Sequence, residues 1–128
     1  MRLLLDTHVL IWFTEGASGL SDIAKRALED SANTVFYSCV NIWEIAIKLS
    51  LNKLTMSMHL EREFANFLSR NGFIELPIQH MHVARVAYMP MHHRDPFDRL
   101  LIAQADLEQL TLVSKDSEFD PYGIRRLW

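Results

Sequence analysis

The chain has 128 residues, 49% hydrophobic and 23% charged, with four Gly and four Pro, a profile that fits one compact domain over 1–128. Its single cysteine, Cys39, excludes an internal disulfide framework and a multi-cysteine zinc site. No apolar run approaches the ~18 residues of a membrane span, and 13 Lys and Arg against 16 Asp and Glu leave a net charge of −3, which excludes a grip on nucleic acid by bulk positive charge.

The opening Met1-Arg2-Leu3-Leu4-Leu5-Asp6 is too short, and too soon interrupted by a carboxylate, for a secretory leader, so a cytoplasmic location is expected. Leu3-Leu4-Leu5 is a wholly apolar run and predicts a central strand buried on both faces. Val9 to Phe13 suggest a first helix ending near Gly16. Ser21 before Ile23, Ala24, Ala27 and Leu28 reads as an N-capped amphipathic helix. Thr34 to Tyr37 form the next predicted strand, and Ser38 caps a helix over about 40–51. A helix over about 60–70 stops at Asn71-Gly72. A strand over 73–76 follows, and then a helix over 78–88 opened by Pro77. Asp95-Pro96 reads as an N-cap with proline at the first helical position, opening a helix to about Gln109. Thr111 to Ser114 is a further buried strand, and 124–128 a last one. Strands alternating with helices predict an α/β fold with a parallel sheet, in which ligands collect at the C-terminal strand ends.

The carboxylates fall at telling places. Asp6 follows the first strand directly, and Asp116 stands just past Leu112-Val113. Taken singly, Asp6 reads equally well as a capping residue or a site acid, and Asp116 reads as an ordinary turn residue. On the helix carrying Val40, Ile42, Trp43, Ile45 and Ile47, the polar residues Asn41, Glu44 and Lys48 share one stripe. That stripe is either a narrow solvent face with an ion pair worth ~0.3–0.5 kcal/mol or the lining of a cleft. Asp98 is in line with apolar Leu101, Ile102 and Ala105. A carboxylate buried there needs a cation or several donors, unless the first helical turn supplies them. Asp95 has a structural role available as the N-cap. Four acids meeting at one crevice repel one another, and oxygen-preferring Mg²⁺ or Mn²⁺ relieves that repulsion.

Four segments stand in order: Leu4-Leu5-Asp6-Thr7-His8; Trp43-Glu44-Ile45-Ala46 with Lys48; Arg94 through Ala105; and Leu112-Val113-Ser114-Lys115-Asp116. In these the sequence resembles the PIN-domain family, and within it the VapC-type toxins of bacterial toxin–antitoxin modules. The resemblance implies a three-layer α/β/α fold with a mostly parallel sheet and a Mg²⁺- or Mn²⁺-dependent ribonuclease site. It assigns Asp6, Glu44 and Asp98 as the core acids and Asp116, where family members also carry Asn, as the fourth. Thr7 matches a supporting hydroxyl. Asp95 joins these as a metal-ligand candidate, its rank against Asp116 open. The resemblance also implies a homodimer and a cognate antitoxin whose C-terminal segment crosses the active-site groove.

Water activated by one or two such ions would attack phosphorus in line. RNA is the expected substrate, with Thr7, Ser38, Lys48, Arg94 and Arg99 as expected contacts. His80, His82, Arg85, His92, His93, Arg94 and Arg99 make either a phosphate-binding rim or an ordinary solvated surface. Two adjacent histidines, His92 and His93, lack the further ligands zinc needs. Cys39 reads as a small buried residue, and the methionines mostly as core. A housekeeping PIN nuclease without an antitoxin and an inactive PIN-like binding module are the alternatives. A phosphate-receiving signalling domain is ruled out, because Thr7-His8 follows Asp6 where a second acid is required, and Ser38-Cys39 follows Tyr37 where an aspartate is required.

Overall fold

The computed structural model describes residues 1–128. Five strands, β1 (Arg2–Leu5), β2 (Thr34–Ser38), β3 (Ile74–Leu76), β4 (Thr111–Val113) and β5 (Arg126–Leu127), form one sheet in the order β3-β2-β1-β4-β5. Every pairing is parallel, with Leu4 opposite Phe36 on one side and Leu112 on the other. Leu3, Leu4 and Leu5 are all fully buried because β1 is the middle strand with helices on both faces. Alternate side chains of a strand leave opposite faces, and the core divides accordingly. Leu3 and Leu5 pack with Val9, Leu10, Ala24, Leu28, Phe64 and Leu68. Leu4 packs instead with Val40, Leu101, Ile102, Ala105 and Phe119.

The helices are α1 (Thr7–Glu15), α2 (Asp22–Glu29), α3 (Cys39–Ser50), α4 (Phe64–Arg70), α5 (His80–Val86) and α6 (Pro96–Leu107). Gly16 ends α1 at φ 65°, a left-handed cap that favours glycine. Ser21 caps α2 through the Ala24 amide at 3.0 Å. Ser38 and Asn41 cap α3 reciprocally: the Ser38 hydroxyl accepts from the Val40 amide at 3.0 Å, and Asn41 Oδ1 accepts from the Ser38 amide at 2.7 Å.

Several boundaries differ from expectation. The helix expected from Leu60 begins only at Phe64. Glu63 and His59 turn their side chains onto the His59 and Arg62 amides, both at 3.2 Å, in competition with helical bonds. Pro77 does not open α5, whose start is set by Gln79 and by His82 Nδ1, which accepts from the Gln79 amide at 3.0 Å. An unanticipated 3-10 helix, Ser117–Tyr122, follows β4, capped by Asp116 through the Glu118 amide at 2.8 Å. No methionine is fully buried: Met81 and Met91 are exposed, Met58 is half-buried, and Met56 and Met89 are half-buried against the two parts of the core. Cys39 is likewise half-buried rather than enclosed, its thiol pushed up by burial and by neighbouring Glu75.

Candidate metal centre

Asp6 occupies the N-cap position of α1, yet its side chain makes no capping bond. It is 6% exposed at the C-terminal end of β1, and Oδ2 accepts a 2.7 Å hydrogen bond from the Ser114 hydroxyl at the end of β4. Burial raises the Asp6 pKa above the usual range, the Ser114 bond and the nearby His8 draw it down, and Glu44 pushes it up.

The polar stripe of α3 faces inward. Asn41 is fully buried and Glu44 7% exposed, while apolar Trp43 on the same helix is 52% exposed. An inward stripe of this kind excludes the narrow solvent face. Asn41 Nδ2 donates to the Leu5 carbonyl at 3.1 Å and to Thr7 Oγ1 at 3.0 Å, so one side chain ties α3 to both sides of Asp6. Glu44 Oε2 pairs with Lys48 Nζ at 3.0 Å. Its other oxygen, Oε1, is buried with no hydrogen-bond partner. An acceptor of that sort, left unmatched, costs about 1–3 kcal/mol, so a cation or proton donor belongs beside it.

Asp98 lies in the first turn of α6 behind Asp95, whose Oδ1 accepts from the amides of Phe97 (2.9 Å) and Asp98 (3.2 Å). The helix amides are therefore taken by Asp95 rather than Asp98. Burial raises the Asp98 pKa to about 8, and Asp95, Asp6, Glu44 and Asp116 each add to the rise. All five carboxylates thus act on one electrostatic neighbourhood at the C-terminal ends of β1 and β4. They do not form a closed cage, because no three His, Cys, Asp or Glu side chains converge tightly enough to enclose an ion. An open all-oxygen set fits Mg²⁺ or Mn²⁺, which retain waters and take only one or two carboxylates directly. The orphaned Glu44 Oε1 and the mutual repulsion on Asp98 are the features such an ion relieves.

The remaining expected residues separate. Thr7 is fully buried beside Asp6 and accepts from Asn41. Ser38 is a fully buried helix cap with its hydroxyl donated to Gln104 Oε1 at 2.5 Å. Arg99 is no rim residue: it is 5% exposed, and its guanidinium donates to the carbonyls of Pro90 (2.9 Å) and Val86 (3.0 Å). His82 is buried against Glu108 at 2.8 Å, and Arg85 pairs with Asp106. Of the expected rim, His80, His92 and Arg94 are exposed. Two residues that sequence reasoning did not assign to the acids lie against them: Ser114, bonded to Asp6, and His93, with Nε2 3.4 Å from Asp98 Oδ2. Ser114 reads in sequence only as the end of a strand, and the signal for it is its position beside Asp6 across a parallel pair.

Three comparisons bear on this arrangement. The chain is similar to VapBC2 from Rickettsia felis, solved bound to a DNA fragment from their promoter, at 18% identity and TM-score 0.72, covering 98% of this chain and 97% of that one. It is also similar to FitAcB from Neisseria gonorrhoeae, at 19% identity and TM-score 0.63, covering 97% and 95%. A third similar structure is FitAB bound to an IR36 DNA fragment, at 17% identity and TM-score 0.62, covering 97% and 92%. At such identities the likeness concerns the fold. No curated protein matches the sequence. The family model for the PIN domain matches residues 3–124, from the strand that ends at Asp6 to the segment beyond Asp116, and on that match the chain belongs to the PIN domain family.

Proposed function

We propose that this protein is a metal-dependent endoribonuclease and the toxin of a type II toxin–antitoxin pair. The observation that carries the nuclease reading is the buried Glu44 Oε1 left without a hydrogen-bond partner, within reach of an Asp98 whose pKa burial and four other carboxylates, Glu44 among them, raise to about 8. A cluster so self-repelling at strand ends is costly to the fold and suited to a cation. Asp6, Glu44 and Asp98 would hold the ion, with Asp116 and Asp95 at its margin. A bound Mg²⁺ or Mn²⁺ supplies a Lewis acid that activates water and offsets charge on a phosphodiester.

The chain's own residues prepare that chemistry. Asn41 fixes the backbone on both sides of Asp6, and Ser114 orients its carboxylate. Lys48 takes one oxygen of Glu44 and leaves the other free. Exposed Arg94 and His92 can meet phosphates at the rim. With a net charge of −3, the protein depends on such local contacts. In-line attack would leave a 5′-phosphate and a 3′-hydroxyl.

The toxin reading draws on the family resemblance and on similarity to the VapBC2 and FitAB structures. It carries with it a cytoplasmic location, a homodimer and an antitoxin. Exposed Trp43, Met81, Val83, Tyr88 and Met91 offer apolar surface for a protein partner, and no helix is long and apolar enough to cross a membrane. RNA cleavage with mapped ends, run with Mg²⁺, Mn²⁺ and excess EDTA on wild type and Asp6→Asn, tests the nuclease. Full activity in chelator refutes it. Expression with and without the neighbouring reading frame tests the toxin, which requires growth arrest that the neighbour relieves.

A further inference from the structure

His93 lies between the acids and the 3-10 helix that follows Asp116, and its surroundings fix where its proton sits. The Tyr122 hydroxyl oxygen accepts from the His93 backbone amide at 3.1 Å and from Arg99 Nη1 at 3.3 Å. Those two donors occupy its lone pairs, so its own O–H points to His93 Nδ1, 2.8 Å away. An imidazole that accepts at Nδ1 carries its proton on Nε2 when neutral. That nitrogen is buried without a hydrogen-bond partner and lies 3.4 Å from Asp98 Oδ2, just beyond a formed bond. The ring is 12% exposed and edge-on to Phe119, with centroids 5.9 Å apart.

We propose that His93 is a positioning residue for Asp98: Tyr122 and Arg99 lock the Nε2–H tautomer, and that donor, 3.4 Å from Asp98 Oδ2, closes onto this oxygen when a cation takes the other. The proposal rests on the metal-dependent reading above and extends it to residues outside the acid set. Among the groups near Asp98 the four carboxylates only repel it, whereas the His93 Nε2–H is a donor placed to orient it after a small approach. Orientation by an outer hydrogen bond is how ligating carboxylates keep their geometry. The buried Arg99 gains a role by the same logic: it occupies a Tyr122 lone pair and so directs the phenol proton toward His93.

Two measurements on the full chain test this. Long-range ¹H–¹⁵N NMR of the imidazoles reports the His93 tautomer, and Mn²⁺ titration followed by electron paramagnetic resonance reports affinity without any need for turnover. Wild type should show an unprotonated Nδ1 and a protonated Nε2, and Tyr122→Phe a mixture of tautomers. Mn²⁺ binding should weaken by about 10–100-fold in His93→Leu, by at least several-fold in Tyr122→Phe, and stay within about threefold in His93→Gln, which keeps a donor near Nε2. Should His93→Leu not fold, Tyr122→Phe and the wild-type tautomer decide the matter. A wild-type Nδ1–H tautomer, or Mn²⁺ affinity unchanged in Tyr122→Phe, overturns the proposal alone. Wild type that binds no Mn²⁺ overturns the metal reading and this proposal with it.

Discussion

Ser114 donates its hydroxyl to Asp6 across 108 positions of chain, at 2.7 Å and with both residues buried. The bond lowers an Asp6 pKa that burial raises. Ser114→Ala should therefore move Asp6 further up and leave less carboxylate at neutral pH. The acid limb of the pH–activity profile should shift to higher pH, and half-maximal activity should need several-fold more Mg²⁺. Stability should fall by about 1 kcal/mol from the lost bond. A pH profile taken at two Mg²⁺ concentrations checks all but the last point, and urea unfolding checks that one.

Asp98 gives the protein a pH-dependent weakness. Its carboxyl titrates near 3.8 when unfolded and near 8 when folded. Between those values the folded state holds a proton that the unfolded state lacks, so stability falls as pH rises from about 4 to about 8 and is flat beyond. Asp98→Asn removes the loss. With solvent screening allowed for, it should be about 1–2 kcal/mol more stable than wild type at pH 8, while RNA cleavage is abolished. Thermal unfolding over pH 5 to 9 reads this directly. Mg²⁺ should raise the wild-type melting temperature and leave that of Asp98→Asn nearly unchanged.

Asn41 is a structural keystone on a helix otherwise rich in apolar residues. Its amide serves the Leu5 carbonyl, the Thr7 hydroxyl and the Ser38 amide at once. Asn41→Leu is similar in volume but strands those buried groups, and should cost about 2–4 kcal/mol. The denaturant midpoint should drop without a comparable change in m-value.

Two arginines five positions apart should respond in opposite ways. Arg99→Lys replaces a planar fork that holds the Val86 and Pro90 carbonyls with a single ammonium, and should lower stability by about 2 kcal/mol. Arg94 is exposed. Arg94→Ala should leave stability within about 0.5 kcal/mol while weakening RNA binding and flattening its salt dependence. Melting curves and a salt titration of RNA binding distinguish the two.

The sheet was legible because Leu3-Leu4-Leu5 and Leu112-Val113 are apolar enough to read as central strands, and because Ser21, Ser38 and Asp95 announce their helices. The acids were legible as positions, since Asp6 and Asp116 end strands and Glu44 and Asp98 interrupt apolar helices. What escaped was the direction of side chains. Nothing local tells that Arg99 turns inward to serve loop carbonyls while Arg94 stays outside, or that His93 lies under Tyr122. The 3-10 helix was hidden because Pro121 and several polar residues read as plain turn, and its stability comes from Phe119 reaching the core on the Leu4 side of the sheet.

The central strand pairs with one neighbour made early in the chain and another made near its end, with Leu5 opposite Val113. During synthesis, Asp6 and Glu44 therefore wait for Asp98 and Ser114, and parallel pairing over such separations is slow to form. On the ribonuclease reading proposed above, a growing chain still on the ribosome would lack its assembled acids and so would be harmless to the message being translated into it until its last strands emerge.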